Sequence, residues 1–161
     1  MSGDILHSKL IDKRDLPQLA KNRSAKLIWT NGCFDIIHSG HIHYLNACKN
    51  LGGELIVGVN SDDSVRRLKG EGRPIMMLED RIIHLSAFYF VDHVVVFEED
   101  TPLELIKMVR PDFLVKGGDY EVEQIVGYRE VINSGGKVLT IPLVPGKSTT
   151  SIIEKIRNIY G

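Results

Sequence analysis

Two histidines three residues apart lie in a short glycine-containing segment, which is the first candidate for chemistry in this sequence. The segment covers residues 30–41, reads TNGCFDIIHSGH and contains His38 and His41. Side chains three apart on a helix share a face, so both imidazoles are expected to face one place. Free backbone N–H groups and the positive end of the helix dipole attract anions to a helix start. The segment therefore predicts an anion site, with phosphate as the expected anion.

The flanking residues place this segment on a turn between a strand and a helix. Residues 26–30 form a short apolar run with the length of a buried strand. Residues 42–48 carry apolar side chains at a spacing that suits a helix. Gly32 lets the backbone turn closely, and Gly40 permits close approach of a ligand.

Two other interpretations of the segment are weaker. A single histidine near a strand end is more often structural than catalytic, but two at this spacing are harder to explain that way. A zinc site needs further ligands, and Cys33 and Cys48 are not spaced as a zinc pair. We expect no metal held by these histidines, and we expect Cys33 to fill space beside the turn.

Cationic residues downstream are further candidates for phosphate binding. Lys69 and Arg73 lie in a polar, glycine-rich loop, and Arg81 lies among apolar residues of the next predicted helix. Lysine would bind phosphate as a point charge and arginine through a fork of donors. The alternatives are a solvated loop for Lys69 and a surface position for Arg81. Beside the histidine segment, we expect Lys69 and Arg81 to bind phosphate.

Polar and glycine-rich turns follow other predicted strands. Paired glycines at Gly117 and Gly118 would let a base or ribose lie against the backbone, with Asp119 accepting from a hydroxyl. The helix start at Ser148, Thr149 and Thr150 is expected to include one capping hydroxyl and to hold outer phosphates of a nucleotide. For Asp35 three roles stay open: orienting a sugar, assisting a magnesium ion, or fixing the loop through hydrogen bonds.

The order of predicted elements gives the fold class. Five apolar runs alternate with helical patterns, which is typical of an α/β, Rossmann-like, doubly wound sheet of five parallel strands. We predict a single nucleotide-binding domain over residues 25–161, preceded by a helical extension over residues 1–24. Ligands of such sheets bind at the carboxyl ends of the strands, where strand order reverses. The polar turns above all fall on that edge.

Composition narrows the class of protein. The 161 residues are 43% hydrophobic and 25% charged with a formal net charge of −1, so a nucleic-acid partner is not expected. No apolar run is long enough to span a bilayer, and residues 1–4 lack the layout of a signal peptide. With two cysteines in such a chain, we expect reduced thiols and a cytoplasmic protein.

The motif of residues 32–35, GCFD, followed by residues 38–41, HSGH, resembles the signature of the cytidylyltransferase-like nucleotidyltransferases. In that family the two histidines of the HxGH motif contact nucleotide phosphates and stabilise the transition state of nucleotidyl transfer. The resemblance implies catalytic roles for His38, His41, Lys69 and Arg81. It implies nucleotide binding by Gly32, Cys33, Phe34 and Gly40. It implies the same role for residues 117–119, after the fourth predicted strand, and residues 148–150, at the start of the last predicted helix. It implies substrate binding by Asp35, Asn60, Asp62 and Arg73.

A finer resemblance covers residues 26–156. Segments such as 67–70 (RLKG), 114–120 (LVKGGDY) and 148–150 (STT) are similar to those of D-glycero-β-D-manno-heptose 1-phosphate adenylyltransferases. The resemblance implies transfer of AMP from ATP, with Mg²⁺, to the sugar 1-phosphate in lipopolysaccharide core precursor synthesis. It also suggests a homodimer. Because no sugar kinase portion is present in the sequence, we expect the free-standing form of this enzyme.

Two rival functions stay open at this point. One is the same chemistry with CTP and glycerol 3-phosphate or another alcohol phosphate. The other is a nucleotide-binding module without catalysis. Pyrophosphate release from a matrix of nucleotides and acceptors separates the rivals.

Overall fold

A computed structural model describes residues 7–161 and contains five parallel strands in one sheet. The strands are β1 (Leu27–Gly32), β2 (Glu54–Asn60), β3 (His93–Phe97), β4 (Phe113–Gly117) and β5 (Lys137–Ile141). The strand order is β3-β2-β1-β4-β5, so the order reverses between β1 and β4. The helices are α1 (Leu16–Asn22), α2 (Ser39–Lys49), α3 (Asp62–Lys69), α4 (Leu78–Ala87), α5 (Leu103–Val109), α6 (Tyr128–Asn133) and α7 (Thr149–Tyr160). The predicted α/β class, five parallel strands and Rossmann-like arrangement are confirmed.

Apolar side chains alternate between the two faces of the sheet, and each face has its own core. On one face, Ile28 and Val57 pack with Leu45 of α2 and Leu85 of α4. On the other face, Trp29 packs with residues of α1, α5 and α6. Both faces of the central strands are therefore covered, which explains why those strands read as nearly continuous apolar runs.

Strands β1 and β4 pair over a much shorter length than β1 and β2. The β1–β2 ladder has six residue pairs, from Leu27 to Gly32 on β1, whereas the β1–β4 ladder has two. The second of these pairs joins Trp29 to Leu114. Beyond it, β1 and β4 separate toward their carboxyl ends.

The Tyr44 side chain of α2 spans the start of this separation. Its hydroxyl donates to the Val115 carbonyl oxygen at 3.0 Å and lies 2.7 Å from Thr30 Oγ1. Tyr44 and Thr30 are both buried. The hydroxyl thus replaces a ladder hydrogen bond between two strands that no longer pair, and it satisfies polar groups that burial would otherwise leave without partners.

The ends of helices α4 and α5 differ from what the residues there predict. The apolar spacing of residues 78–90 predicts one helix, but α4 ends at Ala87, because Phe88 leaves the helix in extended backbone and packs beside the core with Phe90. Thr101 followed by Pro102 is typical of an N-cap and a first helical residue. Instead Pro102 is the N-cap, without a side-chain cap, and α5 starts at Leu103.

The segment before β1 packs on the sheet. Helix α1 begins at Leu16, within the predicted helical extension, and Leu16 is fully buried in the core. Leu10 forms a parallel bridge with Val94 at the β3 edge. Residues 1–6 of the predicted extension lie outside the described residues. Among residues 7–161, no helix has the length and apolar character needed to cross a bilayer.

We expect Tyr44→Phe to lower the free energy of unfolding by about 1–2 kcal/mol, because it removes a buried hydroxyl that bridges β1 and β4. Urea unfolding followed by fluorescence of Trp29, the single tryptophan, measures the change. Tyr89→Phe is the matched control, since Tyr89 is 86% exposed. Equal stability of both variants would contradict the bridging role.

Candidate active site

A cleft of about 570 Å³ opens at the carboxyl ends of the strands, over the gap between β1 and β4. Its wall is formed by the turn after β1, the ends of β2, β3 and β4, and the start of α7. Of the predicted site residues, Gly32, Cys33, Phe34, Asp35, His41, Asn60, Lys69, Arg73, Thr149 and Thr150 line it. The cleft therefore lies at the topological switch point of the sheet, as predicted.

The two histidines meet at the start of α2. His38 is the N-cap residue, and its Nδ1 atom accepts from the Gly40 backbone N–H at 3.1 Å. The rings of His38 and His41 stack at 3.9 Å between centroids, with an interplanar angle of 26°. A Cβ atom on Gly40 would lie 2.9 Å from the His38 ring, so the close approach at this glycine is made by His38. His41 itself lines the cleft.

His41 is neutral near pH 7 in this environment. Burial, and to a smaller extent the adjacent His38, lowers the pKa of His41 to about 4. Burial and Lys147 lower the pKa of His38 as well. The His41 Nδ1 atom is buried without a hydrogen-bond partner among the described residues. An anion beside these rings would favour their protonated forms.

Asp35 fixes the turn that follows β1. Its carboxylate accepts from the backbone N–H groups of Ile75 and Met76, each at 2.8 Å, and from Arg73 Nε at 2.7 Å. Burial opposes ionisation, but these donors outweigh it and lower the pKa of Asp35. The flanking Phe34 and Ile36 adopt φ of 50° and 52°, which side chains rarely do. Of the three roles considered for Asp35, this geometry favours fixing the loop.

The start of α7 is attached to the same turn. Ser148 is the N-cap and exchanges capping-box hydrogen bonds with Ser151, so one of the predicted hydroxyls does cap the helix. Thr149 Oγ1 donates to the Asp35 carbonyl oxygen at 2.6 Å. Thr149 and Thr150 thereby reach the cleft from a helix 114 residues further along the chain.

Arg81 is placed differently from the sequence prediction. Its side chain is fully buried and donates to the carbonyl oxygens of Cys33, at 2.7 Å, and Met76, at 3.1 Å. A further nitrogen binds Asp62 Oδ1 at 2.7 Å. Arg81 and Asp62 therefore hold the wall of the cleft from behind and do not line it, so direct contact with phosphate or substrate is not supported for either residue. This burial has no signal in the sequence, because arginine among apolar residues usually lies at a surface.

The other predicted site residues differ in what they contribute to the cleft. Asn60 is buried, donates to Ser64 Oγ at 3.0 Å and lies 4.0 Å from the Cys33 sulfur. Burial raises the pKa of Cys33, which keeps it a neutral thiol, as a space-filling role requires. At the β4 turn, the side chains that line the cleft are Lys116 and Tyr120, which flank Gly117, Gly118 and Asp119.

Several cleft residues were missed by sequence reasoning. They lie at or after the carboxyl ends of β3 and β4, and the rule that ligands bind at strand ends points to both places. These residues are Phe97, Asp100, Thr101, Pro102, Gln124, Ile125 and Val126, with Leu68 and Asn31 nearby.

Comparison with known proteins identifies the family. The model of the family described as cytidylyltransferase-like matches residues 29–155, which include the whole cleft. The chain belongs to the cytidylyltransferase-like family. The matched range includes the HxGH motif and the turn after β4, which agrees with the resemblance found from the sequence.

Relatives within the family carry informative names. The bifunctional protein HldE of Coxiella burnetii is 52% identical over 154 residues, covering 94% of this chain and 32% of that protein. HldE of Haemophilus ducreyi is 54% identical over 140 residues, or 87% of this chain and 30% of the relative. The chain thus spans about a third of the length of these relatives.

A solved structure has the same fold. The lipopolysaccharide core biosynthesis protein of Thermoplasma volcanium superimposes with a TM-score of 0.61 at 30% identity. The superposition covers 75% of this chain and 98% of the Thermoplasma protein.

The depressed pKa of His41 predicts a pH-dependent stability. The unfolded histidine binds a proton near pH 6.5, the folded one near pH 4, so acidification across this window favours the unfolded chain. We expect a loss of about 2 kcal/mol between these pH values that is absent from His41→Asn. Urea unfolding at a series of pH values measures it. His43→Asn, at an exposed position of the same helix, should keep the loss, and a wild-type slope in His41→Asn would contradict the assignment.

We expect Asp35→Asn to lower the free energy of unfolding by about 2–3 kcal/mol, because two backbone N–H groups and Arg73 lose a charged acceptor. Chemical denaturation at pH 7 measures the change. Asp119→Asn serves as the control, since Asp119 is exposed at the end of β4. Unchanged stability of Asp35→Asn would contradict the loop-fixing role and favour contact of Asp35 with the substrate.

Proposed function

We propose that this chain transfers AMP from ATP to D-glycero-β-D-manno-heptose 1-phosphate, giving ADP-heptose and pyrophosphate. Two findings support the reaction class: the chain belongs to a nucleotidyltransferase family, and its HldE relatives share 52% and 54% sequence identity with it. The observation that carries the proposal is the position of His41, stacked on His38 and lining a cleft over the β1–β4 gap.

Nucleotidyl transfer demands positioning and charge neutralisation more than an acid–base pair. An oxygen of the sugar phosphate attacks the α-phosphorus in line, and pyrophosphate leaves with the electrons of the broken bond. His38 and His41 are proposed to stabilise charge on the α-phosphate and leaving group, with Lys69 binding phosphate oxygens. Thr149, Thr150 and the free N–H groups of α7 would hold the outer phosphates.

Magnesium is proposed to enter with ATP. Residues 7–161 contain no group of three or more His, Cys, Asp and Glu side chains placed to hold a metal ion. Both oxygens of the Asp35 carboxylate already accept hydrogen bonds. Mg²⁺ keeps several of its waters and is commonly bound through substrate phosphates, so it would be bound by ATP oxygens and water and would neutralise the triphosphate.

The resemblance also supports a place for the reaction in lipopolysaccharide core precursor synthesis. The similar Thermoplasma protein is named a lipopolysaccharide core biosynthesis protein. We further propose that the chain acts in the cytoplasm, where ATP is available, and that it forms a homodimer. Sedimentation equilibrium tests the dimer directly.

A matrix of nucleotides and acceptor phosphates tests the substrate assignment. Pyrophosphate release and mass detection of the nucleotide sugar should select ATP with heptose 1-phosphate. A preference for CTP with glycerol 3-phosphate would replace the heptose assignment. Nucleotide binding without turnover anywhere in the matrix would favour a binding module.

We expect His41→Asn to lower turnover at least about 100-fold while changing the Kd of a non-hydrolysable ATP analogue by less than about threefold, because the imidazole acts on charge that develops in the transition state. Assays at pH 8, above the titration of His41, keep the comparison free of the stability effect. His43→Asn lies two residues further on α2 at an exposed position and should be fully active. Equal activity of the two variants would contradict the role of His41.

A further inference from the structure

Two lysines that line the cleft have no partner for their charge in the part of the chain that the structure describes. Lys116 lies on β4 at its carboxyl end, is partly buried and lines the cleft. Lys69 ends α3 and lines the same cleft. Within residues 7–161, neither ammonium group forms a hydrogen bond or ion pair with another residue. Arg73, by contrast, is paired with Asp35.

The charge on Lys116 is held at a cost in the free protein. Burial, and less strongly the neighbouring charge of Lys69, lowers the pKa of Lys116. Two like charges that line one cavity, neither paired with a carboxylate, are complementary to an anion that reaches both. A reaction that joins two phosphates brings two such anions, so each needs its own binding groups.

The cleft lining also includes polar side chains that lie outside the histidine segment. Tyr120 and Gln124 follow Lys116 in the chain, and Asp100 and Thr101 follow β3. Amide, carboxylate and hydroxyl groups hydrogen-bond to sugar hydroxyls, whereas the start of α7 and the imidazoles suit phosphates. One carboxylate oxygen of Asp100 accepts from Arg67 Nε at 2.8 Å.

We propose that Lys116 binds the phosphate of the acceptor sugar phosphate, in a subsite whose outer wall of Asp100, Thr101, Tyr120 and Gln124 contacts the sugar hydroxyls. The inference rests on the proposed function. The acceptor phosphate oxygen forms a bond to the α-phosphorus as the bond from that phosphorus to the bridging oxygen breaks. Pyrophosphate takes the electron pair, and no proton transfer is needed because the attacking oxygen is already deprotonated. In-line attack then sets the acceptor on the Lys116 side and pyrophosphate on the α7 side.

Substitution of Lys116 separates acceptor binding from nucleotide binding. In Lys116→Met we expect the KM for heptose 1-phosphate to rise at least about tenfold, while the Kd of a non-hydrolysable ATP analogue stays within about twofold. Lys116→Gln should behave in the same way and provides a second variant should the first fold poorly. Lys137→Met makes the same change at an exposed position of the neighbouring strand and should match the parent protein.

Two results would overturn the assignment. One is an unchanged KM for the sugar phosphate in both Lys116 variants. The other is a loss of ATP-analogue affinity equal to the rise in KM, which would place Lys116 at the nucleotide phosphates.

Inorganic phosphate distinguishes failure of this inference from failure of the proposed function. If the parent protein does not use heptose 1-phosphate at all, the proposed function fails, and calorimetric titration of the ATP-analogue complex with phosphate still tests the subsite. Weaker phosphate binding in Lys116→Met than in Lys137→Met would support Lys116 as an acceptor-phosphate residue. Equal binding would overturn it.

Discussion

The early separation of β1 from β4 is the constraint on which the rest of this structure depends. The two strands pair only as far as Trp29 and Leu114, although each continues toward the same edge of the sheet. The gap makes room for the cleft, and the buried Tyr44 hydroxyl joins Thr30 to the Val115 carbonyl where strand pairing has ended. A continuous ladder would close the cleft, and a gap without Tyr44 would leave buried polar groups unpaired.

A second feature, the strained turn after β1, sets the chemistry of the cleft. Asp35 holds the loop before α4 with its carboxylate and α7 with its carbonyl oxygen. Arg81 holds the Cys33 carbonyl from behind. Asp35 and Arg73 are thus paired within the turn. Lys69 and Lys116, which also line the cleft, have no hydrogen-bond or ion-pair partner among residues 7–161. This division favours a site that is completed by phosphate anions.

Sequence reasoning predicted the fold well because its signals are local. The five apolar runs, the glycine-containing turn and the hydroxyl-rich start of α7 each fix one element, and parallel topology then sets the edge on which ligands bind. Burial of Arg81, by contrast, depends on Cys33, Met76 and Asp62, which are far from it in the chain or unremarkable in type. The gap between β1 and β4 has no sequence signal at all, since both strands read as apolar and continuous. The role of Asp35 was open among three alternatives until the partners of its carboxylate were known.

A crystal structure of the protein with a non-hydrolysable ATP analogue and Mg²⁺ tests the central claim most directly. The account predicts the α-phosphate over the gap past Trp29 and Leu114, within hydrogen-bond distance of the His41 ring, and the outer phosphates at Thr149 and Thr150. Lys116 would lie on the open side of the α-phosphate. A triphosphate bound elsewhere, or imidazole rings turned away from it, would contradict the account.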